Sequence, residues 1–125
     1  AQSIQETRAP NSLELSYTYR DIGLVLKEQG MLEESLRSLL KAYNIQDALV
    51  PTTLKFADTS SQVGLVYKEI GGKQYLARAL EMFRRAALIQ ESHVPETRIM
   101  ARTYRNIGLV LKEQHASGSG STTTT

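Results

Sequence analysis

The feature that most constrains this chain is that it repeats itself. Residues 18–29 read TYRDIGLVLKEQ and residues 103–114 read TYRNIGLVLKEQ, a match at eleven of twelve positions at an offset of 85. Upstream, Ile4, Gln5, Glu6 and Pro10 fall on Ile89, Gln90, Glu91 and Pro95 at that offset. A middle copy lies between them: Ile45, Gln46, Asp47 and Pro51 align 41 residues after the first set, and TSSQVGLVYKEI follows at 59–70. All three prolines share one repeat position, and Gly23, Gly64 and Gly108 share another, 41 and then 44 residues apart. The extra residues of the longer unit sit near Gly71, Gly72 and Lys73, since Ala42 and Ala86 realign after them. A period of this length means stacked supersecondary units, none of which can bury its apolar face alone.

Each unit reads as a helical hairpin. Leu15, Tyr19, Ile22 and Leu26 step by four, three and four, which places them along one face of a helix. Phe56, Ser60, Val63 and Tyr67, and then Met100, Tyr104, Ile107 and Leu111, repeat the stripe. A second helix carries Leu32, Leu36, Leu39 and Tyr43, matched by Leu76, Leu80, Phe83 and Ala87, with small residues at Ser35, Ala42, Ala79 and Ala86 where a partner must come close. A glycine inside a helix costs about 1 kcal/mol against alanine. Its recurrence at 23, 64 and 108 therefore implies a need, which we assign to close approach of a neighbouring helix.

Gly30 and the Gly71–Gly72 pair divide the two helices of each hairpin, the prolines precede or open the next unit, and Asn11 with Glu14 suits a capping box. Helices are expected at 11–29, 31–47, 52–70, 74–91 and 96–115. The units follow. Residues 1–10 are the end of a preceding unit with its link, 11–50 a first hairpin, 51–94 a second, 95–115 the first helix of a third, and 116–125 a flexible Ser/Gly/Thr tail.

Composition agrees with an all-α domain and narrows the chemistry. The 125 residues suffice for one domain, and 41% of them are hydrophobic, but no apolar run is long enough to cross a membrane. Cysteine is absent, which excludes disulfides, thiolate metal sites and cysteine nucleophiles. It does not settle the compartment; the cytoplasm is slightly favoured and secretion stays open. A net charge of +2, from interspersed basic and acidic residues, lacks the clustered footprint of a nucleic-acid binder. His93 and His115 stand alone, without metal-ligand spacing, and no nucleophile, base and orienting acid recur together. The expectation is a non-enzymatic protein with no cofactor and no metal.

With its glycine, tyrosine, leucine and alanine landmarks at Gly23, Gly30, Leu32, Ser35 and Ala42, and NIGLVLKEQ in the last copy, the chain resembles the tetratricopeptide repeat (TPR) family. The units of 41 to 44 residues exceed that family's usual 34 and resemble the long repeats of kinesin light chain. Two departures stand out: Tyr19, Ser60 and Tyr104 replace the common tryptophan, and Ser35 stands where alanine is usual. The resemblance implies a right-handed α-α superhelix, here a solenoid of about two and a half hairpins, whose first helices line a concave, peptide-binding face.

On that geometry the groove-facing row is Tyr17, Arg20, Leu24 and Lys27, then Asp58, Ser61, Leu65 and Lys68, then Arg102, Arg105, Leu109 and Lys112. Leu24, Leu65 and Leu109 would form an apolar line flanked by a lysine row suited to a partner peptide that is acidic with an apolar anchor. The competing reading packs the leucines between helices and leaves the lysines solvated or paired with Glu28, Glu69 and Glu113. A carboxylate clamp of the kind some TPR domains carry is disfavoured, because its asparagine position is leucine in all three copies. An alternative function is end-to-end self-assembly into an oligomer or filament through the last helix, whose Met100, Tyr104, Ile107, Val110 and Leu111 have no second helix after them to cover them.

Overall fold

The computed structural model describes residues 9–93 and 98–122, with side chains placed from 13 to 93 and from 98 to 116. The described residues form five helices and no strand: α1 Ala9–Glu28, α2 Leu32–Leu49, α3 Leu54–Ile70, α4 Lys73–His93 and α5 Arg98–Thr122. Each helix packs chiefly on its neighbours in sequence, while α1, α3 and α5 touch one another only lightly. The stub expected at 4–6 and the third link around Pro95 lie outside the described residues.

Turn chemistry sets the helix ends. Gly30 has φ 82°, and the Met31 N–H returns to the Leu26 carbonyl at 2.9 Å while Gly30 N–H reaches Lys27 at 3.0 Å, closing α1 with a left-handed glycine. Gly71 and Gly72, at φ 79° and 94°, turn α3 into α4. Thr53 caps α3 by accepting the Phe56 N–H at 3.1 Å, after the link that holds Pro51.

Two boundaries differ from expectation. α1 is already helical at Ala9, the first described residue, so Asn11 lies within the helix and not at a cap; Pro10, with φ fixed near the helical value, is tolerated in it. α5 continues to Thr122 where an end at 115 and a flexible tail were expected. No proline interrupts that stretch, and Gly118 and Gly120 each disfavour helix by about 1 kcal/mol without barring it.

The recurring glycine is where the hairpins close. A Cβ on Gly23 would lie 2.6 Å from Leu39 Cγ and 3.3 Å from the Leu39 backbone nitrogen. One on Gly64 would lie 2.9 Å from the Phe83 ring. Leu39 and Phe83 are equivalent residues 44 apart, both fully buried, so neither can withdraw. Ser35 adds a tie within the first hairpin, its hydroxyl donating to the Gly23 carbonyl at 2.6 Å. Hairpins then join through buried side chains: the Tyr43 and Phe56 rings lie 5.0 Å apart, and Thr103 donates to the buried Gln90 at 2.7 Å.

Gly108 is the exception, since a Cβ there meets nothing within 4 Å. Gly23→Val and Gly64→Val should each lower stability by about 1 to 3 kcal/mol through overpacking. Gly108→Ala should raise it by up to about 1 kcal/mol through helix propensity alone. Thermal melts of the three variants check the contrast in sign, and equal shifts would contradict the packing account.

Candidate functional site

The expected groove row is brought together in part. Arg20 on α1 forms an ion pair with Asp58 on α3, Lys27 on α1 donates to Gln62 on α3 at 3.3 Å, and Lys68 on α3 lies 3.8 Å from Glu113 on α5. The row is therefore stitched across the three first helices by polar contacts. The pairing of Lys68 with Glu113 is one that the competing reading named, whereas Lys27 takes a glutamine and not a glutamate. Leu24 and Leu65 are half-buried against the core, and Leu109 is half-buried. Arg102, Arg105 and Lys112 on α5 are exposed.

Between α1 and α3 lies a cleft of about 380 Å³ lined by Tyr17, Arg20 and Asp21 of α1, Gln46 of α2, and Leu54, Lys55 and Asp58 of α3. Lys55 sits over the Tyr17 ring, 4.6 Å from its centroid, which closes one side. Among the described residues, three buried side-chain polar atoms lack a hydrogen-bond partner: Arg20 Nε, Gln46 Oε1 and Ser61 Oγ. Arg20 and Gln46 line the cleft and Ser61 belongs to the row. Gln46 is fully buried, and its amide nitrogen donates to Ser16 at 3.1 Å. Arg20 Nε and Gln46 Oε1 have almost no accessible surface, so they lie behind the cleft wall and not on it.

Asp21, Gln46, Leu54 and Lys55 are absent from the row read in the sequence. Gln46 was legible as a repeated Ile-Gln dipeptide, but that signal reports a helix end and not the wall of a cleft. Leu54 and Lys55 open α3 one turn before the row begins, where no repeat landmark draws attention to them.

A second polar cluster ties the two hairpins together on a separate patch. Arg85 on α4 donates to Asp47 at 2.5 Å and to the Tyr43 hydroxyl at 2.8 Å, and its guanidinium lies 4.9 Å from the Phe56 ring centroid. Burial opposes its charge, but the bonds to Asp47 and Tyr43 outweigh burial and raise its pKa. This bracket is structural.

The residues expected to mediate self-assembly divide between two faces of α5. Met100 and Val110 are buried and Ile107 packs against the core, because α5 lays that side on α4 as α3 lays Phe56, Val63 and Val66 on α2. These positions are equivalent 44 residues apart. Met100 and Val110 are thus buried, while Tyr104 and Leu111 are 47% and 41% exposed, the Tyr104 hydroxyl donating to Glu91 of α4.

Among the described residues no helix is long and apolar enough to span a membrane. A scan against models of known protein families returns no match, and a search of curated proteins returns no significant one.

The Arg20–Asp58 pair is the main polar link between α1 and α3. Both side chains are partly exposed, at 29% and 44%, so a double-mutant cycle with Arg20→Ala and Asp58→Ala should give a coupling of about 0.2 to 1 kcal/mol in denaturant melts. A coupling indistinguishable from zero would mean that this pair contributes nothing to holding the two first helices together.

Proposed function

We propose that this chain is a non-enzymatic protein-interaction module of the tetratricopeptide type, a short right-handed solenoid that binds a peptide along the face shared by α1, α3 and α5. The observation that carries the reading is the cleft of about 380 Å³ between α1 and α3, whose lining residues Tyr17, Arg20 and Asp58 belong to the groove row. The row then extends past Leu24, Leu65 and Leu109 toward Arg102, Arg105 and Lys112, whose exposed charges suit acidic residues in the partner. Lys27 and Lys68 are engaged with Gln62 and Glu113 in the free chain, and an acidic peptide would compete for them.

End-to-end assembly is less well served by the geometry. α1 exposes Leu15, Ile22 and Val25, and α5 exposes Tyr104 and Leu111. Among the described residues α1 and α5 are both first helices of a hairpin, and stacking one directly on the other would omit the second helix that separates first helices elsewhere.

Fluorescence anisotropy with acidic peptides carrying one leucine or phenylalanine anchor tests the proposal. Binding should weaken as salt rises, and Arg102→Glu with Arg105→Glu and Lys112→Glu should reduce affinity at least about tenfold without lowering the melting temperature. An unchanged affinity in that variant and in Gln46→Leu would remove the groove as the binding face.

A further inference from the structure

The two junctions between first helices use the same repeat positions and carry different charges. At the first, Arg20 and Lys27 mark the side of α1 that meets α3, and their partners Asp58 and Gln62 mark the side of α3 that meets α1. One unit later, the place of Arg20 is taken by Ser61 on α3 and the place of Asp58 by Arg102 on α5. An ion pair at the first junction is thus replaced at the second by a serine and an arginine. Leu54, which lines the cleft at the first junction, has Arg98 as its counterpart.

Arg98 and Arg102 are four residues apart, which places them on one side of α5 about one turn from each other. Both are exposed, and among the described residues neither makes an ion pair or a hydrogen bond. Asp58, the acid of the α3 row, is engaged with Arg20, and Glu113, about three turns further along α5, is engaged with Lys68. Like charges at this spacing disfavour a helix, so the stability of the fold gives no reason for the pair. A unit stacked beyond α5 would meet it through Arg105 and Lys112, the places of Arg20 and Lys27. The charge at Arg102 is therefore internal to the row.

We infer that Arg98 and Arg102 bind the phosphoryl group of a phosphorylated serine or threonine in a partner peptide, an inference that rests on the groove being the binding face. A phosphoryl group brings a charge of about −1.5 to −2 and three acceptor oxygens. Two guanidinium groups one turn apart, with no acid between them, match that charge. A carboxylate, with a single charge and two oxygens, fills one arginine fork and leaves the second unanswered. The first junction is unsuited to the same ligand, because its lining sets Arg20 and Lys55 against Asp21 and Asp58. The groove thus has one anion-reading junction and one balanced junction, which fixes the register of the bound peptide.

The probes are three fluorescent peptide pools of one design, with one leucine fixed, the flanks degenerate, and the central residue phosphoserine, glutamate or serine. In anisotropy titrations the full chain should bind the phosphoserine pool at least about tenfold more tightly than the glutamate pool. Arg98→Ala with Arg102→Ala should reduce that preference below about twofold without lowering the melting temperature. Arg78→Ala, at an exposed arginine of α4 outside the row, should keep it. Ser61→Arg with Arg102→Asp rebuilds at the second junction the pair of the first, and should abolish the preference in a chain at least as stable as the parent. The inference alone is overturned if the phosphoserine and glutamate pools bind equally, or if the preference survives Arg98→Ala with Arg102→Ala. It is likewise overturned if Arg78→Ala removes the preference as fully, which would make it a response to net charge. Binding of none of the pools would overturn the groove reading as well.

Discussion

The contact on which this structure depends is the seating of a large apolar side chain over a helical glycine. Leu39 on Gly23 and Phe83 on Gly64 bring the two helices of each hairpin closer than any side chain at the glycine would allow. Everything else in the hairpin follows from that separation. Ser35 reaches the Gly23 carbonyl because the helices are close, and small residues at Ala42, Ala79 and Ala86 are fully buried or nearly so along the same seam. Close packing here is worth more than the helix propensity that each glycine forfeits, since the buried leucine or phenylalanine contributes about 1.5 to 3 kcal/mol on leaving water.

A closed hairpin presents two more surfaces, and the chain uses them differently. The outer side of each second helix meets the next first helix through aromatic and polar groups, with Tyr43, Phe56, Asp47 and Arg85 gathered at the first junction and Gln90 with Thr103 at the second. The first helices meet mainly through long polar side chains, Arg20 to Asp58 and Lys68 to Glu113. These junctions thus set the order of the units, whereas the face between first helices is the one with exchangeable contacts, and the proposed groove lies there.

Much of this was legible in the residues because a repeat supplies its own controls. The offsets of 41 and 44 located five helices, the glycine turns and the close approach at Gly23 and Gly64. Periodicity reports which residues share a face, but not which neighbour covers that face. Met100 and Val110 illustrate the limit: they are apolar residues of α5 like Tyr104 and Leu111, yet they are buried, while Tyr104 and Leu111 stay exposed. The cleft was beyond reach for a related reason, since Gln46, Arg20 and Lys55 come from three helices and their meeting depends on how the hairpins are set against each other. The continuation of α5 past 115 was missed because Gly/Ser/Thr composition signals a weak helix former and not a forbidden one.

The near-identity of α1 and α5 leaves the chain with a choice while it folds. α2 recognises Tyr19, Gly23 and Leu26, and the same three types recur at Tyr104, Gly108 and Leu111. During collapse α2 therefore has two almost equivalent partners within one molecule, and side-chain chemistry does little to distinguish them. Chain connectivity does. α1 reaches α2 across residues 29–31, whereas α5 would have to close a loop over 50–97. By the logarithmic growth of closure entropy, that difference favours the adjacent pairing by about 2.5 kcal/mol. The three residues around Gly30 thus act as a kinetic tether that resolves an ambiguity the helices themselves contain, and lengthening that link would erode the bias and populate a topological isomer with α5 in the place of α1.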